Sequence, residues 1–120
     1  MIRKTLVLGA SENSTRYSNI AIKRLTSIGV EVKALGRKKG TVEGVLIETN
    51  LIEFEDIHTI TLYLSAKNQE EYYNYIIALK PQRVLFNPGT ENLFLEQLLT
   101  ENNIAFERAC TLVLLSIGEY

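Results

Sequence analysis

Short apolar segments alternate with longer polar ones along the whole chain. Two of these segments, Thr5 to Leu8 and Thr59 to Leu64, are unbroken runs of apolar or β-branched residues. Such runs are typical of strands that are buried on both faces of a parallel sheet. Val30 to Leu35 alternates strictly between apolar and polar residues, which predicts a half-exposed strand. Further strands are predicted at three shorter segments, Val45 to Ile47, Arg83 to Phe86 and Ala105 to Glu107.

Helical spacing fills most of the gaps between these strands. The pattern predicts helices from Ser18 to Ile28, from Asn68 to about Leu79, from about Thr90 to Asn102 and from Cys110 to Ile117, although the last segment would also suit a strand. We expect Ser18 to be the N-cap of the first helix and Gly29 to follow its end. Asn68 and Glu71 have the spacing of a capping box.

Strands that alternate with helices predict an α/β protein. A parallel sheet with helices on both faces, in three layers α/β/α, is the arrangement that right-handed crossovers produce from this order. The 120 residues suit a single domain, and 46 % hydrophobic and 22 % charged residues are ordinary for a globular protein.

Charge and cysteine usage narrow the class of protein. A net charge of −1 argues against a dedicated nucleic-acid binder. No apolar run is long enough to span a membrane, and no signal-peptide pattern is present at the N-terminus. The single cysteine excludes an internal disulfide and suits a cytoplasmic protein, and a His/Cys metal cluster is not expected with one residue of each type. Homo-oligomer formation stays open.

Four polar loops follow the predicted strands, and ligands of parallel sheets bind outside the carboxyl ends of the strands. The loops are Gly9 to Ser18, Gly36 to Gly40, Leu64 to Asn68 and Asn87 to Glu91. The first one joins a buried strand to a helix through small residues, as in a phosphate-binding turn. It has serines where the dinucleotide-binding fingerprint has glycines, so an ordinary turn stays an alternative.

The loop after the second predicted strand is basic. An NAD site requires an acidic residue there for the ribose hydroxyl, but this chain has Arg37, Lys38 and Lys39. Cations favour a phosphorylated ribose, either the 2′-phosphate of NADP or the 3′-phosphate of coenzyme A. A solvated basic loop without a ligand stays open.

Three motifs together resemble a known family. Val7-Leu8-Gly9-Ala10-Ser11, then Arg16-Tyr17-Ser18 and finally Phe86-Asn87-Pro88-Gly89-Thr90-Glu91-Asn92 are similar to motifs of the small stand-alone CoA-binding domain proteins. Those proteins are similar to the N-terminal CoA-binding domain of the succinyl-CoA synthetase α subunit. The resemblance covers nearly the whole chain and implies a Rossmann-like, doubly wound fold with coenzyme A across the strand ends.

The resemblance also implies a set of ligand-binding residues. By position, Gly9, Ala10, Ser11, Arg16, Tyr17 and Ser18 would form the first phosphate-binding loop. Gly36 and Arg37 would flank the 3′-phosphate, and Leu64 and Ser65 the adenine or ribose. Asn87, Pro88 and Gly89 would form the far side of the site.

Catalytic chemistry has little support in the sequence. The ligase's catalytic histidine has no counterpart, and the one histidine, His58, precedes a strand at the end of the sheet away from the loops. Glu91 and Cys110 are better explained as a first-turn acid and a small apolar residue. The hypothesis is therefore a cytoplasmic protein that binds coenzyme A or an acyl-CoA without catalysis, with no nucleic-acid or membrane partner. The alternative is a small NADP-dependent oxidoreductase or NADP sensor.

Overall fold

A computed structural model describes residues 3–120 and contains seven strands and five α-helices within them. The strands are β1 (Thr5–Leu8), β2 (Val32–Leu35), β3 (Gly40–Val42), β4 (Val45–Glu48), β5 (Thr59–Leu62), β6 (Arg83–Phe86) and β7 (Ala105–Arg108). The helices are α1 (Tyr17–Ser27), α2 (Ala66–Gln69), α3 (Tyr73–Leu79), α4 (Leu93–Glu101) and α5 (Thr111–Ser116), with a 3₁₀ turn, Glu70–Tyr72, between α2 and α3.

All seven strands form one sheet in the order β3-β4-β2-β1-β5-β6-β7. Six strands are parallel, and only β3 runs antiparallel, beside β4 at one edge. The chain leaves β1 toward β2 and later returns to the other side of β1 at β5. Strand order therefore reverses between β1 and β5, which is the position where doubly wound sheets bind ligands. The predicted Rossmann-like α/β fold is confirmed.

Each face of the sheet carries its own apolar core. On one face α1 packs beside α5, and Ile22 and Leu25 of α1 contact Val7 of β1. On the other face α3 and α4 cover Leu6, Leu8 and the central strands with Ile76, Leu95 and Leu99. The segment between β4 and β5 joins this second core through Phe54 and Ile57. Together the two cores give the predicted three layers. None of the helices in residues 3–120 has the length and apolar character needed to cross a bilayer.

Two predicted helix starts are wrong. The N-cap of α1 is Arg16, whose backbone oxygen accepts hydrogen bonds from the third and fourth helical N–H groups, and Ser18 lies inside the helix. Asn68 is likewise inside α2, because the extended backbone conformation of an N-cap occurs at Ser65. The third predicted helix, α4, starts at Leu93 because Asn92 is its N-cap and the Asn92 side chain accepts a hydrogen bond from the Leu95 N–H.

The strand predictions differ from the structure in two places. β2 is buried rather than half exposed, and only Lys33 in it is partly exposed, because β1 and β4 flank the strand and helices cover it. The pattern also missed β3. Its backbone pairs with β4, and the Glu12 carboxylate accepts a hydrogen bond of 2.9 Å from the Thr41 N–H. That contact joins residues 29 positions apart, so local patterning cannot show it.

Two glycines allow the loops after β1, β2 and β5 to come into contact. A Cβ atom on Gly36 would lie 2.3 Å from the backbone oxygen of Ala10. Gly9 has a φ of +100°, and a Cβ there would lie 2.9 Å from the backbone of Tyr63. Only glycine fits both positions without displacing the main chain.

We expect Gly36→Ala to lower the free energy of unfolding by about 1–3 kcal/mol, since the added methyl group displaces the Ala10 backbone. Gly40→Ala is the matched control. Its added methyl group would meet the flexible Glu12 side chain rather than backbone, and moving that side chain costs its hydrogen bond to the Thr41 N–H, so we expect a smaller loss of about 0.5–1.5 kcal/mol. Urea unfolding of both variants checks the prediction, and equal losses in the two would contradict it.

Candidate functional site

A cavity of about 780 Å³ opens over the carboxyl ends of β1, β2, β5 and β6, at the reversal of strand order. All four loops that the sequence singles out contribute to its wall. The lining residues are Gly9, Ala10, Ser11, Asn13, Arg16, Tyr17, Ser18, Gly36, Arg37, Lys38, Tyr63, Leu64, Ser65, Asn68, Tyr72, Pro88, Gly89 and Thr90.

The loop between β1 and α1 is held by its own short side chains. The Ser11 hydroxyl accepts a hydrogen bond from the Asn13 N–H at 3.0 Å, and Asn13 Oδ1 accepts from the Thr15 N–H at 3.0 Å. These turns lead to α1, whose N-cap, Arg16, makes no side-chain capping bond. Within residues 3–120, the backbone N–H groups of Tyr17 and Ser18 donate no hydrogen bond. The start of α1 therefore presents unpaired donors and the positive end of a helix dipole.

Cations and an aromatic ring form the adjoining part of the wall. Arg37 and Lys38 follow β2 and are exposed. Tyr72 lies close enough to Arg37 for the guanidinium to affect its titration. Partial burial and the neighbouring Glu71 raise the pKa of Tyr72, while Arg37 acts in the opposite direction. The cavity thus combines positive charge with an apolar surface that can pack against a flat ring.

The Asn87 side chain lies under the cavity and not on its wall. It is only 3 % exposed. Its Nδ2 donates to the Thr61 hydroxyl at 2.7 Å and to the Leu62 carbonyl at 2.9 Å, and its Oδ1 accepts from the Thr111 N–H at 2.8 Å. One amide therefore ties β5, the loop after β6 and the start of α5 together.

A second buried amide, Gln69, joins two loops of the wall. Its Nε2 donates to the Leu64 carbonyl at 2.8 Å and to the Thr90 carbonyl at 2.7 Å. Its Oε1 accepts from Asn92 Nδ2 at 2.9 Å. Thr90 in turn donates its hydroxyl proton to the Asn87 carbonyl at 2.7 Å. The loops after β5 and β6 are fixed at a set separation by these bonds.

Twelve of the thirteen residues predicted for the site line the cavity, and Asn87 is the exception. Whether the twelve contact a ligand stays a prediction. Six lining residues were not predicted, namely Asn13, Lys38, Tyr63, Asn68, Tyr72 and Thr90. Tyr63 lies in a predicted strand, Tyr72 lies in a predicted helix, and Asn68 is a predicted helix cap. Lys38 belongs to the basic loop, and Asn13, Asn68 and Thr90 lie within the other three strand-end loops, so the loops themselves were the available signal.

Tyr63 and His58 illustrate how differently the two ends of β5 are built. Burial raises the pKa of Tyr63 to about 12, and its hydroxyl oxygen is itself buried. His58 lies at the opposite end, as predicted, where Nδ1 is 2.7 Å from the Thr59 hydroxyl oxygen. Burial, Arg83 and Arg3 lower the pKa of His58.

Comparisons with known proteins agree with this geometry. The model of the CoA binding domain family matches residues 3–116. A crystal structure of an uncharacterized protein is 48 % identical, with a TM-score of 0.97, over 100 % of this chain and 99 % of the other. A protein from Thermus thermophilus is 17 % identical, with a TM-score of 0.86, over 98 % of this chain and 91 % of the other. A hypothetical protein from Pyrococcus horikoshii OT3 is 24 % identical, with a TM-score of 0.81, over 93 % of this chain and 80 % of the other. At these identities the two structures show the fold alone. No curated protein matches the chain.

The fold and the site together define an α/β protein whose cavity lies where the strand order reverses. The chain belongs to the CoA binding domain family.

We expect Asn87→Asp to lower the free energy of unfolding by about 3–5 kcal/mol, because an unpaired buried charge would face the Leu62 carbonyl. Asn50→Asp makes the same chemical change at an exposed position, where we expect less than about 0.5 kcal/mol. Chemical denaturation at neutral pH measures both. A mild loss at Asn87 would mean that its hydrogen bonds are dispensable.

Proposed function

We propose that the protein binds coenzyme A or an acyl-CoA in the main cavity and performs no catalysis of its own. The observation that carries the proposal is the meeting of two anion-attracting features in one cavity, the unpaired start of α1 and the basic loop of Arg37 and Lys38. Coenzyme A carries two groups that suit them, a pyrophosphate and a ribose 3′-phosphate. Membership of the CoA binding domain family supports the same ligand.

In this proposal the pyrophosphate lies against the start of α1. The N–H groups of Tyr17 and Ser18 would donate to its oxygens, and Arg16 would add charge at the rim. Ala10 and Ser11 lie on the same part of the wall and have small side chains. A small side chain is required there if the phosphates are to approach the backbone.

The adenosine end lies toward the basic loop. Gly36 brings the loop against Ala10, so that Arg37 and Lys38 follow directly on the cavity wall. Leu64 and Ser65 would contact the adenine or ribose, with Tyr72 as a further apolar surface. The pantetheine arm would leave past Pro88 and Gly89.

We expect saturating coenzyme A to stabilise the protein and NAD to have no effect. A ligand at about 100 times its Kd adds about 2.7 kcal/mol, which raises Tm by several degrees for a domain of this size. A thermal-shift panel of coenzyme A, acetyl-CoA, NAD, NADP and ATP measures this. A larger shift with NADP would favour the oxidoreductase or sensor alternative, and no shift with coenzyme A would refute the proposal.

Release of free coenzyme A from acetyl-CoA, measured in the presence of the protein, should be no faster than in buffer. Faster release would refute the non-catalytic part of the proposal.

We expect Arg37→Glu to weaken binding of coenzyme A far more than binding of 3′-dephospho-CoA. A charge-assisted contact to the 3′-phosphate contributes about 1.5–3 kcal/mol, or roughly ten- to hundredfold in Kd. Lys39→Glu is the matched control, because Lys39 is exposed in the same loop but does not line the cavity. Titration calorimetry of the two variants with both ligands separates a direct contact from a general charge effect. Equal losses for the two ligands would leave the loop as a solvated surface.

A further inference from the structure

A second, smaller groove lies between α2 and the start of α4. It has a volume of about 420 Å³ and is lined by Ala66, Lys67, Glu70, Tyr73, Asn92 and Phe94. We call it the aromatic groove. It shares no lining residue with the main cavity, although Ala66 and Lys67 belong to a strand-end loop and Asn92 ends the third motif.

Large apolar side chains in and beside the groove are exposed to water. The rings of Tyr73 and Phe94 are stacked, with centroids 5.3 Å apart and an interplanar angle of 20°. Phe94 is nevertheless 66 % exposed, and Leu93 beside it is 76 % exposed. Neighbouring large apolar side chains that remain in contact with water often mark a binding surface.

The aromatic groove and the main cavity share one wall. Ser65 lines the cavity and Ala66 the groove, while Thr90 lines the cavity and Asn92 the groove. Gln69 fixes this wall through its bonds to the Thr90 carbonyl and to Asn92.

The rim between the two depressions is open at Gly89. A Cβ atom built there would have nothing within 4 Å, and glycine itself places no side chain on the path. Leu93 and Phe94 follow at the start of α4, four and five residues beyond Gly89, and both are exposed.

We propose that the aromatic groove binds the acyl chain of an acyl-CoA whose nucleotide part occupies the main cavity. This inference rests on the proposed function and specifies the ligand as a thioester with an aliphatic chain. The thioester end of an acyl-CoA is the part opposite the nucleotide, so it is the part that passes the Gly89 rim. Lys67 and Glu70 carry opposite charges on the groove, so it has no net positive charge that would attract a chain ending in a carboxylate.

The test compares acetyl-CoA with octanoyl-CoA by titration calorimetry at micromolar concentrations. The two ligands differ by six methylene groups, and each one that is fully buried tightens binding by about threefold to fourfold. We expect octanoyl-CoA to bind at least about tenfold more tightly, because only part of the chain enters the groove. Free octanoate is the control for nonspecific binding of the chain.

Phe94→Ala should remove most of this gain while changing the Kd of acetyl-CoA by less than about twofold. Leu46→Ala is the matched control, since Leu46 is 64 % exposed on β4, near the other edge of the sheet. It should leave both affinities unchanged. Melting curves of each variant check that the fold is intact.

Four results would overturn the inference. Equal affinities for acetyl-CoA and octanoyl-CoA would leave coenzyme A binding intact and refute the acyl groove. A gain that persists in Phe94→Ala would place the chain elsewhere, and concentration-dependent dimers that Phe94→Ala abolishes would make the groove a contact between copies. Failure of every CoA ligand to bind would refute the proposed function together with the inference.

Discussion

Two buried side-chain amides hold the loops that form the main cavity. Loops at the end of a parallel sheet contain backbone groups that neither the strands nor the helices pair, and leaving such groups unpaired in the interior costs about 1–3 kcal/mol each. Asn87 and Gln69 supply partners to the carbonyls of Leu62, Leu64 and Thr90 and to the N–H of Thr111. The cavity is therefore formed before any ligand enters, and little loop ordering has to accompany binding.

The segment from Asn87 to Asn92 has two separate roles that a sequence motif cannot distinguish. Its asparagines face inward, one under the cavity and the other as the N-cap of α4. Pro88, Gly89 and Thr90 lie on the cavity wall between them. A motif residue need not line the cavity, because the loop that does line it must also be held in place.

The fold was predictable wherever one strand or helix carried an unmistakable pattern. Unbroken apolar runs such as Thr5 to Leu8 gave the central strands, since burial on both faces leaves no place for polar side chains. Helix starts were less predictable, because Ser18 and Asn68 have good capping side chains, but the extended N-cap conformation occurs at Arg16 and Ser65, neither of which makes a side-chain capping bond. In the cavity, Tyr63 and Tyr72 are not predictable, because an aromatic residue within a strand or helix suits a core position as well as a cavity wall.

The two edge strands, β3 and β7, limit how readily other chains can add to the sheet. An edge strand exposes unpaired backbone groups to other chains, and a long, flat, apolar edge invites them to add further strands. Here β3 is only three residues long, and β7 ends in the exposed charged residues Glu107 and Arg108, of which Arg108 is held by Glu96. Strand addition at either edge would be short or would desolvate charge. The sheet can therefore remain at seven strands in a crowded solution, where an apolar edge would promote fibrils.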